Sequence, residues 1–150
     1  IAYADPENIS REDVMKAAEI AQAEEFINTK EEGYDTPIAQ GGGNVSGGQK
    51  QRLSIARALA KKPEFFIFDD SFSALDFKTD AALRKALKEN IDDATILIVA
   101  QRISTIMNAE QIVVLDEGRI VGKGTHNELM ENCDVYREIA YSQLSKEELA

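Results

Sequence analysis

An α/β fold built on a parallel sheet is what this 150-residue sequence predicts, and three observations carry the expectation. Phe65-Phe66-Ile67-Phe68 and the stretch Thr95 to Ala100 are continuous apolar runs of strand length, the pattern of strands buried on both faces of a parallel sheet. Between them Asp76 stands where a helix cap belongs, with Leu83, Ala86 and Leu87 facing inward behind it. Strand, helix and strand in that order form a βαβ unit, which implies parallel pairing through a right-handed crossover.

The remaining elements follow from caps and breakers. Ser10-Arg11-Glu12-Asp13 reads as a helix start, and Val14, Ala17, Ala18 and Ala21 at helical spacing predict a helix over about Arg11 to Ile27, broken or unbroken. Gly33-Tyr34-Asp35-Thr36-Pro37 is a turn or extended segment, and Gly41-Gly42-Gly43-Asn44 must be loop, because successive glycines lose too much backbone entropy in regular structure. Ser46 opens the next helix with Gln49 placed to complete a capping box; Leu53, Ala56, Leu59 and Ala60 form its apolar stripe and Pro63 ends it. Beyond the second apolar run a short helix is expected from about Ser104. Ile112 to Leu115 and Arg119 to Val121 then flank Asp116-Glu117-Gly118 as a hairpin. Thr125 caps a further helix, and Tyr136 to Leu144 is the last.

Composition narrows the function. A hydrophobic fraction of 43% with 29% charged residues is that of an ordinary globular protein, sized for one domain or a large piece of one. The chain opens on Ile1, which predicts a piece excised from a longer protein. The longest apolar run, Ile96 to Ala100, is far too short to span a bilayer. A net charge of −10 repels polyanions and argues against nucleic acid as a partner. One cysteine, Cys133, cannot form an intramolecular disulfide, and neither it nor the lone His126 has neighbours at metal-ligand spacing, so a reducing, cytosolic setting is expected. Cys133 reads as a packed or surface thiol and His126 as a surface residue just inside a helix start.

The residues that carry chemistry lie in two places. At Val45-Ser46-Gly47-Gly48-Gln49 a serine cap and two glycines gather backbone N–H groups and a hydroxyl at the positive end of a helix dipole, which suits a terminal phosphate. Taken alone, Ser-Gly-Gly is equally a capped turn. Asp69 closes the first apolar run, where a strand-end carboxylate can orient Mg²⁺. Together they point to the use of a nucleoside triphosphate.

Context sharpens that reading. The stretch from Asn44 to Leu59, the stretch from Phe68 to Asp76, the segments Val99 to Thr105 and Val114 to Val121, and Gly124-Thr125-His126 together resemble the ATP-binding-cassette (ABC) family, and most closely the nucleotide-binding domains of its exporters. The resemblance implies a partial P-loop NTPase core of RecA-like type, represented by its C-terminal half over about residues 63–150, with the family's helical signature subdomain over about residues 10–60. It implies ATP and Mg²⁺ as cofactors, and as partners a second nucleotide-binding domain and the transmembrane domains of an exporter, at the cytoplasmic face of a membrane. The signature Val45, Ser46, Gly47, Gly48 and Gln49 would contact ATP held by the partner. Ser73, Ala74, Leu75 and Asp76 match the D-loop that crosses the dimer interface, and Asp69 matches the Walker B carboxylate that orients Mg²⁺ through water.

Four departures from the family pattern qualify this expectation. The phosphate-cradling Walker A loop occurs nowhere in these residues, and Gly118-Arg119-Ile120-Val121-Gly122-Lys123-Gly124-Thr125 is a decoy with wrong spacing on a hairpin. The isolated chain is therefore expected to be inactive. Asp70 stands where hydrolysis-competent members carry Glu; basicity is kept, but the carboxylate is drawn back by about 1 Å, a misplacement that can cost on the order of 10²-fold in rate. Gln101 stands where the family has its switch histidine, and a neutral amide cannot become cationic. An intact signature beside a damaged catalytic pair is what the degenerate-site subunit of a heterodimer would carry, with two slow sites in a homodimer as the rival. Gln40 occupies the place of an acidic residue in the loop that meets the coupling helices. A soluble ABC-type ATPase of DNA repair or translation, and a nucleotide-free interaction module, are the alternatives from other classes.

Overall fold

Ser10 opens the first α-helix: its hydroxyl accepts from the Asp13 N–H at 3.1 Å while its own N–H donates to the Asp13 carboxylate at 3.1 Å, a complete capping box. The computed structural model describes residues 1–91 and 93–144, which fall into two compact units divided between Val99 and Ala100.

In the first unit α1 (Arg11–Ile20) buries Ala17, Ala18 and Ile20. The expected helix to Ile27 is broken at Gln22, whose φ of 57° turns the chain before α2 (Glu24–Asn28) buries Phe26 and Ile27. Arg52 holds that corner from outside, donating to the Gln22 carbonyl at 2.6 Å and lying 4.8 Å over the Phe26 ring. The glycine-rich stretch is irregular except for one 3₁₀ turn at Gln40–Gly42, and the Asn44 side chain clasps it by accepting from the Ala39 N–H and donating to the Pro37 carbonyl. Helix α3 (Gly47–Leu59) buries Ile55, Ala56 and Leu59, and ends before Lys62 reverses the chain at a φ of 47°.

Strands β1 (Phe65–Asp69) and β2 (Thr95–Val99) pair in parallel, Phe65 opposite Thr95 and Asp69 opposite Val99. Phe66 and Phe68 enter the core with Ile96 and Ile98 packed against it. The expectation of burial on both faces is corrected here: Phe65 and Ile67 are 69% and 71% exposed, and Leu97 and Val99 are exposed on the same side. Alternate side chains of a strand point to opposite faces, and among the described residues only one face is covered by helices. Helix α4 (Phe77–Asn90) connects the two strands, capped by Asp76 and burying Leu83 and Leu87.

The second unit has its own core of Ile103, Ile112, Val114, Leu129, Cys133, Tyr136 and Ala140. It contains α5 (Ile103–Ile106), the antiparallel hairpin of β3 (Ile112–Asp116) and β4 (Arg119–Gly124), α6 (His126–Asn132) and α7 (Asp134–Gln143). Glu117 and Gly118 both take positive φ, the two-residue turn whose twist suits a hairpin. Thr125 caps α6 through a box with Glu128. His126 Nδ1 lies 2.8 Å from the Tyr136 hydroxyl, and Cys133 is packed in the core, where a Cβ at Gly122 would come within 2.8 Å of its sulfur.

Candidate functional site

The first turn of α3 is built by reciprocal hydrogen bonds. The Ser46 hydroxyl accepts from the Gln49 N–H at 3.2 Å, and the Gln49 side-chain oxygen accepts from the Ser46 N–H at 3.0 Å. A hydroxyl that accepts from the backbone keeps its proton for donation to an anion. Val45 and Gln49 are half-buried, while Ser46 and Gly47 are exposed. A Cβ on Gly47 would meet only the Ala74 methyl at 3.9 Å, whereas one on Gly48 would stand 3.1 Å from the Ala74 carbonyl oxygen. The two glycines therefore serve different ends: Gly48 lets the neighbouring turn approach, and Gly47 leaves the helix end open.

That neighbouring turn is Asp69 to Asp76. Asp69, exposed, ends β1; the next N–H, of Asp70, donates to the Val99 carbonyl at 2.9 Å and extends the ladder by one residue. Asp70 then bends at a φ of 47°, a left-handed conformation that Asp tolerates better than most side chains. Phe72 and Leu75 drop into the core, Phe72 edge-on to Phe68 at 5.5 Å, so the exposed Ser73 and Ala74 are carried between two buried anchors. Asp76 is committed to capping α4: its carboxylate accepts from the Thr79 N–H at 2.9 Å and the Thr79 hydroxyl at 2.8 Å. These bonds favour the charged form and hold its pKa below the ordinary value.

Gln51 joins the two segments. Its side-chain oxygen accepts from the Ala74 N–H at 3.0 Å, and its amide nitrogen donates to the Ser73 hydroxyl at 3.3 Å. The Ser73 hydroxyl in turn donates to the Asp70 carbonyl at 3.0 Å. Sequence reasoning missed Gln51 and Asn44; both are polar residues in glycine-rich surroundings, but their partners lie in segments whose proximity only folding creates. Ser46, Gly47, Gly48 and Gln49 are thus brought beside Ser73, Ala74 and Leu75, with Asp69 and Asp70 at the start of the same turn. Gln101 belongs to the second unit, where its carbonyl accepts from the Gln143 side chain and its own side chain is exposed.

The donor set suits Mg²⁺ held through water. No cluster of three His, Cys, Asp or Glu capable of holding a metal occurs among the described residues. Mg²⁺ retains much of its water shell and commonly binds one or two carboxylates plus substrate phosphates, which an exposed strand-end Asp69 fits. The decoy segment from Gly118 to Thr125 lies on the β3–β4 hairpin and at the cap of α6, with no phosphate-cradling turn into a helix.

The family model described as "ABC transporter" matches residues 3–73. An uncharacterized ABC transporter ATP-binding protein of Bacillus subtilis is 47% identical over 141 residues, covering 94% of this chain and 24% of that protein. An ATP-dependent lipid A-core flippase of Vibrio vulnificus is 45% identical over 139 residues, covering 93% of this chain and 24% of the flippase. Among solved structures, a bacterial Atm1-family ABC exporter with ATP bound matches at a TM-score of 0.91 with 36% identity, covering 97% of this chain and 25% of the exporter chain. The chain thus spans about a quarter of the length of the curated relatives it matches. No helix among the described residues is long and apolar enough to cross a membrane.

Proposed function

We propose that this chain, a segment of an ABC transporter ATP-binding domain, supplies the signature turn to ATP held by a second nucleotide-binding domain, and that the complete protein couples ATP hydrolysis to export at the cytoplasmic face of a membrane. One observation carries the reading: a capped helix N-terminus, bare of side chains at Gly47 and Gly48, stands beside a carboxylate-bearing turn that closes a strand. The likeness to an ATP-bound exporter supports the same assignment. The flippase relative makes an amphiphilic lipid one substrate class to test.

In this reading Ser46 donates its hydroxyl proton to a terminal phosphate oxygen of the partner's nucleotide, and the N–H groups of the first turn of α3 add the positive end of the helix dipole. Asp69 orients the water shell of Mg²⁺ at this chain's own site, and bound Mg²⁺ supplies charge neutralisation of the phosphates there. Asp70 accepts from the attacking water, and Gln101 offers an amide donor where a histidine would offer a cation. Ser73 to Asp76 form the D-loop. A carboxylate set back by about 1 Å and a lost positive charge both slow that site, which leaves the partner's site to carry most turnover. The second nucleotide-binding domain is accordingly non-identical and carries Glu and His at the matching positions. No nucleic-acid partner is assigned.

The test uses the full-length protein with its partner. Asp70→Glu combined with Gln101→His is expected to raise ATP turnover at saturating ATP by roughly 10-fold or more at this chain's own site. Unchanged turnover would count against the slow-site reading, and brisk ATPase activity from one purified subunit type alone would favour a homodimer.

A further inference from the structure

Gln143, in the last turn of α7, makes two hydrogen bonds that reach back to the segment containing Gln101. Its side-chain nitrogen donates to the Gln101 carbonyl at 2.9 Å, and its side-chain oxygen accepts from the Ile103 N–H at 2.9 Å. One partner is an acceptor and the other a donor, so only one orientation of the amide satisfies both. The pair of bonds straddles Arg102 and engages both ends of a single side chain.

The segment held in this way needs outside support. Helix α5 is four residues long, too short to persist on its own, and its first N–H groups have no acceptor within the helix. Arg102 at the cap position provides no side-chain cap bond, and Gln143 supplies the acceptor that a local cap would otherwise give. Beneath it Ile103 is 3% exposed in the same core as Tyr136 and Ala140 of α7. The backbone from residue 101 to 103 is therefore fixed by packing on one side and by an amide clamp on the other.

We propose that Gln143 is a positioning residue for Gln101: by pinning the Gln101 carbonyl and the Ile103 N–H it sets the backbone from which the Gln101 side chain acts on the nucleotide. The inference rests on the reading of Gln101 as the residue at the switch position. Gln143→Met keeps length and bulk but removes both bonds, whereas Gln143→Glu keeps an acceptor for Ile103 and loses the donor to Gln101.

Both substitutions are tested in the full-length protein with its partner, in the background of Asp70→Glu with Gln101→His, where this site turns over fastest. Gln143→Met is expected to cancel most of the gained turnover, a fall of roughly 10-fold in the rate of this chain's own site, read with the partner's site inactivated, with KM for ATP little changed, and Gln143→Glu to give an intermediate fall. Amide exchange over residues 101–106 is expected to quicken in Gln143→Met, with the melting temperature of the whole protein little altered. If the double substitution raises turnover and Gln143→Met leaves it raised, the clamp has no functional role and the inference alone falls. If the double substitution itself leaves turnover unchanged, the switch-position reading fails and takes the inference with it. A fall in kcat matched by loss of folded protein in both Gln143 variants would also overturn it, since the effect would then be general stability.

Discussion

Two adjacent glycines in the first turn of α3 answer to different neighbours, and single-methyl substitutions separate them. A methyl at Gly48 would stand 3.1 Å from the Ala74 carbonyl, which is held in place by Gln51 and by the buried Phe72 and Leu75 on either side. Alanine favours a helix over glycine by at most about 1 kcal/mol, and overpacking against a fixed backbone atom costs roughly 1–3 kcal/mol, so the clash wins. Gly48→Ala is expected to lower the urea midpoint. At Gly47 a methyl meets nothing closer than 3.9 Å, so Gly47→Ala should leave the midpoint equal or higher. Turnover at the partner's site should nevertheless fall, because the added methyl lies on the face proposed to meet phosphate. Equal stability losses for the two variants, or full activity in Gly47→Ala, would contradict this division. Asp70 and Gln101 are singled out as candidate residues by the sequence alone, whereas the reason for Gly48 is legible only with Ala74 beside it.

At the scale of elements, caps are legible in the sequence, whereas the place at which a helix breaks is not. The boxes at Ser10, Ser46 and Thr125 need only residues three apart, and all three close as local chemistry requires. The break at Gln22 has no glycine or proline to announce it; it is held by Arg52, thirty positions away in the chain. Helix α1 carries a pH-dependent contribution as well. The Lys62 ammonium beside Asp13, then the Ser10 hydroxyl and N–H, hold that carboxyl down to about 2 from its ordinary 3.8. A depressed folded-state pKa means the unfolded chain binds the proton first on acidification. The contribution is complete above pH 3.8 and disappears as pH falls through about 2. Asp13→Asn should therefore lower the urea midpoint by a constant amount near neutral pH, and the gap to wild type should close across that window. A gap that stays constant down to pH 2 would mean that the carboxylate's charge contributes nothing.

For the whole molecule, the main departure from expectation is the open face of the β1–β2 sheet. Continuous apolar runs were correctly read as parallel strands, since βαβ order and run length suffice for that. Burial of both faces depends on a second layer that no strand can specify from within itself, and Phe65, Ile67, Leu97 and Val99 find none among the described residues. The same reasoning bears on ligand affinity. This chain has a Ser46-capped, glycine-bearing helix start and a strand-end carboxylate, and its sequence carries no phosphate-cradling loop motif. We expect the isolated chain to bind Mg-ATP weakly or not at all by titration calorimetry. Saturable binding in the micromolar range would show that the described residues make a nucleotide site unaided.

The sequence by itself determined the α/β class, the parallel strands and the capped helices, because each depends on residues near one another in the chain. Tertiary structure alone decided that Gly48 is a contact glycine and that Gln51 ties α3 to Ala74 and Ser73. It also decided that α1 and α2 part at Gln22, and that Gln143 caps a one-turn helix forty residues before it. Each rests on a contact between groups distant in sequence, most of them side-chain bonds to backbone. A single chain's pattern of residue types does not encode which distant carbonyl or N–H a glutamine will meet, and only the packed structure supplies that partner.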